Sequence, residues 1–220
     1  DLMKVLKPFY YDNFKCIADK CIDNCCHVQW QITIDEKTYK KYKKIKGPWG
    51  KKINNNITRI RKNNSYLSYG KIKLKDCGCS LLDEDGLCSI HAQLGEGYLS
   101  NTCKVYPRDI IKYNNIYERN LLMSCPEVAR YLIKHKDDFY FNMDEEELSD
   151  LDKDYIINKN YDENLYNLLW NARGLAIEIV QFKEINVWKR IVFVKSLCDK
   201  VQKTIDKNDY ENYEKVLKNF

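Results

Sequence analysis

The 220-residue sequence predicts a mainly α fold with small β elements, in which a cysteine-rich N-terminal region packs on a C-terminal helical part. Two observations carry this prediction. Nine of the ten cysteines lie within the first 125 residues, and beyond residue 160 apolar side chains recur at the spacing of an amphipathic helix. The acidic stretch 144–154 is predicted as a linker or an exposed helix. We therefore expect two domains, at 1–143 and 144–220.

The first cysteines lie in a segment that is predicted as a loop or a short helix and ends near residue 27. Alternation of polar and apolar residues predicts a strand over 28–34, and Asp35 follows as the N-cap of a helix that the next Gly-Pro pair ends. A second, polar helix is predicted over 51–62. A short strand is expected over 71–79, where it leads into the next cysteines.

Turn signals separate the elements in the middle of the chain. The Asp-Gly pair at 85–86 predicts a tight turn that brings Cys79 and Cys88 together. The Asn pair at 114–115 predicts a hairpin, because Asn tolerates the left-handed backbone conformation that such a turn needs. Pro126 is expected in the first turn of a helix. The C-terminal helices are predicted at 162–185, 187–206 and 208–219.

The net charge of +5 does not by itself indicate a protein that binds nucleic acid. Only seven of the 37 basic residues are Arg, and the basic residues alternate with 32 acidic ones, as on a solvated surface. The denser basic run 37–52 could contact an acidic partner. No apolar run approaches the ~20 residues of a membrane span, and no secretory signal is visible. We expect neither nucleic acid nor a membrane as a partner.

The ten cysteines leave three interpretations open. Disulfides suit small secreted domains better than a chain of this length. Zinc is supported by one C-x3-C pair and one C-x2-H pair. An iron-sulfur cluster needs four thiolates, for which Cys16, Cys21 and either Cys25 or Cys26 supply a close set and later cysteines supply distant partners. The spacing alone does not choose between the two metals.

Three segments of the sequence resemble the flagellin lysine-N-methylase family. They are "CIADKCIDNCCHVQWQITIDEKTYKKY", "CSLLDEDGLCSIHAQLGEGYLSNTCKVYPR" and "YERNLLMSCPEVARYL". The resemblance covers roughly residues 8–135, and Cys77 and Cys198 lie outside its pattern. Family members are longer than this chain, so we expect either that a C-terminal part is missing here or that this is a compact relative. The cysteines that match the family in order are Cys16, Cys21, Cys25, Cys26, Cys79, Cys88, Cys103 and Cys125.

The resemblance implies a bacterial, cytoplasmic enzyme that moves a methyl group from S-adenosylmethionine to lysine side chains of flagellin or a similar lysine-rich surface protein. It also implies a 4Fe-4S cluster, with zinc as the alternative, held by the matching cysteines. A metal would then organise the N-terminal region. The alternative function is a non-catalytic metal-binding or redox module with the same cysteine framework.

Few residues can be given a role beyond the metal site. Arg108 is expected to bind the carboxylate of S-adenosylmethionine, because a guanidinium can bind a carboxylate through two parallel hydrogen bonds. The acidic turn 83–85 could attract a cationic lysine. No glycine-rich strand-turn-helix segment indicates a Rossmann-type core, and no catalytic residue is identified.

Overall fold

The structure is a computed structural model that describes residues 2–23, 25–27, 30–76, 78–210 and 213–218. Its helices are α1 Glu36–Lys44, α2 Gly47–Asn56, α3 Ser89–Leu94, α4 Asn101–Val105, α5 Pro126–Lys134, α6 Asp150–Tyr155, α7 Glu163–Gln181, α8 Val187–Asp206 and α9 Tyr213–Lys218. Its strands are β1 Met3–Pro8, β2 Thr33–Ile34, β3 Ile57–Arg59, β4 Gly70–Ile72, β5 Leu74–Lys75, β6 Gly78–Cys79, β7 Arg108–Tyr113, β8 Ile116–Leu121, β9 Phe141–Glu146 and β10 Ile157–Lys159.

The largest sheet has five strands in the order β10-β7-β8-β1-β9. Strands β7 and β8 form the predicted antiparallel hairpin, with Asn114 at a φ of 49° in its turn. Strand β1 pairs in parallel with β8, where Val5 lies opposite Tyr117, and antiparallel with β9, where Val5 lies opposite Asp144. Strand β10 pairs in parallel with β7 at the other edge. The sheet is therefore mixed and joins distant parts of the chain.

The predicted mainly α fold with a metal-organised N-terminal region is wrong. Besides the five-stranded sheet, the described residues form a three-stranded sheet, β2-β4-β3, and a two-stranded sheet, β5-β6, so the fold is mixed α and β. An apolar core built around Tyr42, Ile32, Ile53 and Leu81 holds the N-terminal region together. Within the described ranges, no three His, Cys, Asp or Glu side chains are placed to hold a metal ion.

The acidic stretch 144–154 differs most from its prediction. Its first residues belong to β9, and its last residues form most of α6. The carboxylates of β9 are not only solvated, because Asp144 and Glu146 pair with the buried ammonium of Lys7 at 3.0 and 2.5 Å. A run of acidic residues thus forms a strand where a cation from a neighbouring strand neutralises it.

Local signals predicted the helix starts better than the strands. Asp35 caps α1, since its carboxylate accepts a 2.8 Å hydrogen bond from the backbone N–H of Thr38. The predicted helix 51–62 is wrong in its second half, because α2 ends at Asn56 and β3 follows. The predicted strand 28–34 is reduced to β2, and residues 28 and 29 lie outside the described ranges.

The C-terminal helix predictions are confirmed for α7 and α8, while the third helix is the shorter α9. Helices α7 and α8 pack together around Leu168, Leu197 and Val201. Strand β9 spans the predicted domain boundary, and the division there stays a prediction. In the part of the chain that the structure describes, no helix is both long and apolar enough to cross a membrane.

Candidate cysteine site and adjacent cleft

Five cysteine side chains from four segments of the chain lie near one another beside the N-terminal core. The thiol of Cys26 hydrogen-bonds with the sulfurs of Cys25 and Cys88. Cys79 and Cys103 lie close enough to Cys88 for their charges to interact. We call this set the central thiol group: Cys25, Cys26, Cys79, Cys88 and Cys103.

Two close backbone contacts fix the central thiol group. The N–H of Cys79 donates a 2.7 Å hydrogen bond to the carbonyl oxygen of Cys26. The residue before it, Gly78, allows this approach, because a Cβ there would lie 2.7 Å from the same oxygen. A side chain at this position would therefore push the two cysteine segments apart.

The predicted turn at 85–86 is confirmed and brings Cys88 back towards β6. A carboxylate oxygen of Asp83 accepts a 2.7 Å hydrogen bond from the N–H of Leu87, and Gly86 has a φ of +74°. Leu82 and Cys88 then form an antiparallel bridge. Asp83 thus has a structural role in the acidic turn, which is the usual role of Asp in such loops.

The ionisation of the central thiols follows from their hydrogen bonds. The pKa of Cys88 is lowered by the hydrogen bond from the Cys26 thiol and by the backbone N–H groups at the start of α3. The same thiol lowers the pKa of Cys25, and the pKa of Cys26 itself is raised. Burial raises the pKa of Cys79 to about 11 and that of Cys103 to about 12. The lowered pKa values of Cys88 and Cys25 favour their thiolate forms, and a thiolate is the form that binds metals.

The other matching cysteines form a second group, made of Cys16, Cys21 and Cys125. Cys125 is buried at the start of α5 and packs in a core with Tyr10, Tyr11 and Phe14. Cys21 lies within electrostatic range of Cys125, Cys16 and Cys25. Charge interactions thus link the eight predicted cysteines in two neighbouring groups. No three described His, Cys, Asp or Glu side chains are placed to hold a metal ion, so the predicted ligand set stays a prediction. Cys198 is exposed on α8, and Cys77 lies outside the described ranges.

The central thiol group suits a metal by the chemistry of its donors. Thiolates are the ligands of structural zinc and of iron-sulfur clusters, and the described cysteines are all free thiols. As they stand, Cys25, Cys26 and Cys88 contact one another through hydrogen bonds. Binding a metal would exchange these thiol contacts for metal bonds and release protons.

A cleft of about 340 Å³ lies next to this region and contains Arg108. Arg108 donates a 3.2 Å hydrogen bond from Nη2 to the carbonyl oxygen of Phe14, and its guanidinium lies 5.4 Å from the centre of the Phe14 ring. Helix α4 connects the two sites, because it carries Cys103 in the central thiol group and then Lys104 and Val105 in the wall of the cleft. The predicted cofactor residue therefore lies at a pocket beside the cysteines.

An ion-pair network that the sequence did not reveal forms another wall of the cleft. Arg119 donates from both terminal nitrogens to the two carboxylate oxygens of Asp152, at 2.9 and 3.1 Å, and from Nε to Glu146 at 3.1 Å. Its Nη1 also lies 3.4 Å from the hydroxyl of Tyr11. These partners are far apart in sequence, so no local spacing signals the network.

Comparison with known proteins finds a flagellar biosynthetic protein and lysine-N-methylases among the relatives of this chain. The family profile described as the FliB lysine N-methylase C-terminal domain matches residues 173–220. The chain is 38% identical over 136 residues to the flagellar biosynthetic protein FliU of Salmonella muenchen, an alignment that covers 60% of this chain and 79% of FliU. It is 37% identical over 136 residues to the Lysine-N-methylase of Salmonella typhimurium and to that of Salmonella choleraesuis, covering 33% of each. No solved structure matches the chain.

Proposed function

Since this chain belongs to the flagellin lysine-N-methylase family, we propose that it transfers a methyl group from S-adenosylmethionine to lysine side chains of flagellin or a similar surface protein. The similarity to the two lysine-N-methylases carries the proposal. The aligned segment covers a third of the length of those relatives. Their activity is therefore a proposal for this chain. The cleft that adjoins the central thiol group supports it.

The cleft at Arg108 is the site we propose for S-adenosylmethionine. Its volume of about 340 Å³ falls within the range of small-molecule pockets. Arg108 and Lys104 supply positive charge for the carboxylate of the methionine part, and Tyr11 supplies an aromatic wall. When bound, S-adenosylmethionine supplies an activated methyl group. The residues of the chain bind and orient it.

The central thiol group is the site we propose for a 4Fe-4S cluster, with zinc as the alternative. Four of its five thiols suffice as ligands for either one. The described cysteines are all free thiols, as in proteins of a reducing compartment. The proposal therefore includes a cytoplasmic location.

The acceptor lysine sets one chemical requirement. Its amine has an ordinary pKa of about 10.4, and only the neutral amine can attack a methyl group. Burial away from water lowers the pKa of an amine, and a nearby base can accept its proton. Either one increases the share of the neutral, reactive amine. The acceptor site must therefore be partly dry or contain a base.

Transfer of labelled methyl groups tests the proposal. The protein is purified without oxygen and incubated with flagellin and methyl-labelled S-adenosylmethionine, and the modified lysines are located by mass spectrometry. We expect label on lysine with the wild type and its loss with Arg108→Gln. Arg59→Gln is the matched control, because Arg59 also lies over an aromatic ring, that of Tyr69, but outside the cleft.

Two outcomes would contradict the proposal. If neither wild-type protein nor Arg59→Gln binds S-adenosylmethionine or labels flagellin, the methylase assignment fails. Reversible oxidation of the thiols in that same protein would then support the redox module. If Arg108→Gln labels flagellin as fast as the wild type, the cleft is not the donor site.

A further inference from the structure

A second pocket, separate from the thiols and the cleft, lies where β7, β8 and α7 meet. It measures about 230 Å³, which is less than the roughly 300 Å³ at which ordinary small-molecule pockets begin. A space of this size suits one side chain. We call it the aromatic pocket; its lining is Tyr113, Glu118, Tyr161, Tyr166, Leu169, Trp170 and Arg173.

The polar end of the aromatic pocket is a buried carboxylate. The side chain of Glu118, on the central strand β8, is 8% exposed, whereas that of its partner Arg173 is 41% exposed. A single nitrogen of Arg173, Nη1, lies 2.9 and 2.8 Å from the two oxygens of Glu118. A guanidinium that uses one nitrogen in this way occupies the place that an ammonium group could take. Because a buried carboxylate needs a cation, an ammonium group that displaced Arg173 would keep Glu118 paired.

The walls of the aromatic pocket also favour a cation. The guanidinium of Arg173 lies 4.6 Å from the centre of the Trp170 ring, and Nζ of Lys159 lies 5.7 Å from that of Tyr113. Tyr113 and Tyr161 stack with their planes 17° apart. Aromatic rings attract ammonium and guanidinium groups, because the face of the ring carries partial negative charge.

One polar atom in the aromatic pocket has no partner within the described ranges. The hydroxyl of Tyr166 is buried and makes no hydrogen bond there. Burial and the nearby charge of Glu118 raise the pKa of Tyr166, so the hydroxyl keeps its proton. A buried hydroxyl without a partner is costly, and a ligand nitrogen or a backbone carbonyl would satisfy it.

We propose that the aromatic pocket is a docking site for a protonated lysine side chain of the protein substrate. The ammonium takes the place of Arg173 Nη1 on Glu118, and the alkyl chain lies against the rings of Trp170 and Tyr166. Arg173 turns outward, which its exposure allows. The identification of the ligand as a substrate lysine rests on the proposed function, whereas the binding of an alkylammonium group rests on the pocket alone.

Nuclear magnetic resonance of the tryptophan indole N–H groups tests this docking site. The chain has four Trp residues, and Trp170→Phe identifies the Trp170 signal. The probe is Nα-acetyl-lysine methylamide, with its Nε-acetyl form as an uncharged control. We expect the charged probe alone to shift the Trp170 signal, while the signal of Trp188, which is 72% exposed on α8, stays in place.

Two variants test whether the ammonium group of the probe replaces Arg173 on Glu118. Arg173→Gln removes the internal competitor, so the probe should bind about tenfold tighter. Adding Glu118→Gln to that variant removes the carboxylate and should abolish binding. Arg173→Gln alone leaves Glu118 without its cation, whereas the double variant pairs two neutral amides. Circular dichroism and melting curves of both variants therefore serve as the folding control.

The results that overturn the docking site are distinct from those that overturn the methylase. A Trp170 signal that stays in place in Arg173→Gln overturns the site. Binding of the Nε-trimethyl probe as tight as that of the unmethylated probe also overturns it, because a trimethylated nitrogen cannot donate to Glu118. Probe binding without methyl transfer would contradict only the methylase. Methyl transfer without probe binding would contradict only the docking site.

Discussion

The indole ring of Trp30 stacks on the phenol ring of Tyr106, with centroids 5.8 Å apart and planes 27° from parallel. Trp30 packs at the edge of the N-terminal core, and Tyr106 packs against the core that contains Cys125. Trp30 also donates a 3.2 Å hydrogen bond from Nε1 to the carbonyl oxygen of Cys25. This stack therefore connects the two groups of cysteines.

Replacing Trp30 by Leu should loosen that connection and lower the free energy of unfolding by about 2 kcal/mol, through lost packing and lost stacking. Trp30→Phe keeps a ring but removes the hydrogen bond to Cys25, so it should cost about 1 kcal/mol. Urea unfolding measures both values. Trp188→Leu is the control, since that side chain is 72% exposed and its loss should change stability by less than about 0.5 kcal/mol. Equal effects of all three variants would contradict the role of the stack.

Gly78→Ala should disturb the central thiol group. The new Cβ would lie 2.7 Å from the carbonyl oxygen of Cys26, so the hydrogen bond from Cys79 must lengthen, at a cost of about 1–3 kcal/mol. Thermal unfolding measures the loss. Gly97→Ala is the matched control, because a Cβ there meets nothing within 4 Å. A Gly78→Ala protein as stable as Gly97→Ala would show that the backbone contact is not required.

The parts of the fold that the sequence predicted are those that depend on neighbouring residues. The cap at Asp35, the turn at Asn114 and the helix start at Pro126 each need only a few positions of context. Strands β1 and β9 could not be predicted in this way, because each depends on the other for pairing across more than a hundred residues. In the sequence, their charged side chains resemble those of a solvated surface. Only the folded structure shows that Lys7 pairs with carboxylates of β9.

The candidate site, too, could be predicted only where it depends on residues that are close in sequence. The turn at 85–86 predicted that the segments of Cys79 and Cys88 approach each other, and the structure confirms it. Nothing in the spacing predicted that Cys79 and Cys125 belong to different cores, because that depends on tertiary packing. Cys125 belongs to the core of Tyr10 and Phe14, and this core includes residues from both ends of the cysteine region.

The pair of Arg119 and Asp152 should make stability depend on acid. Burial alone would raise the pKa of Asp152, but hydrogen bonds from Arg119 and Ser149 hold it below the ordinary value of 3.8. The pair therefore contributes stability above the pKa of the unfolded chain, and this contribution disappears as the pH falls through the lower folded value. Urea midpoints should be unaffected by this pair between about pH 7 and 5 and should fall below about pH 4.

Asp152→Asn separates this pair from other causes of acid unfolding. The variant should be less stable than the wild type at neutral pH, and the difference should shrink as the pH falls below about 4. Asp150→Asn is the matched control, because the Asp150 side chain is fully exposed on the same helix. A difference between wild type and Asp152→Asn that stays constant with pH would contradict the low pKa.

The low pKa of Cys88 predicts how fast this thiol is alkylated. Because hydrogen bonds lower its pKa while burial raises that of Cys103 to about 12, iodoacetamide at neutral pH should alkylate Cys88 well before Cys103 in metal-free protein. Cys26→Ala removes a hydrogen-bond donor and should slow the reaction of Cys88. Mass spectrometry of peptides follows each site, and faster alkylation of Cys103 would contradict the ionisation pattern.

Metal binding should change the reactivity of Cys88. If the central thiol group holds zinc or an iron-sulfur cluster, loading the metal should protect Cys88 from alkylation, since the sulfur is then a ligand. Cys88→Ser should lower the bound metal, counted as iron, sulfide and zinc per chain, while Cys198→Ser, exposed on α8, should leave the count unchanged. Equal metal content in both variants would remove Cys88 from the ligands and would leave its low pKa as a property of the turn and of α3 alone.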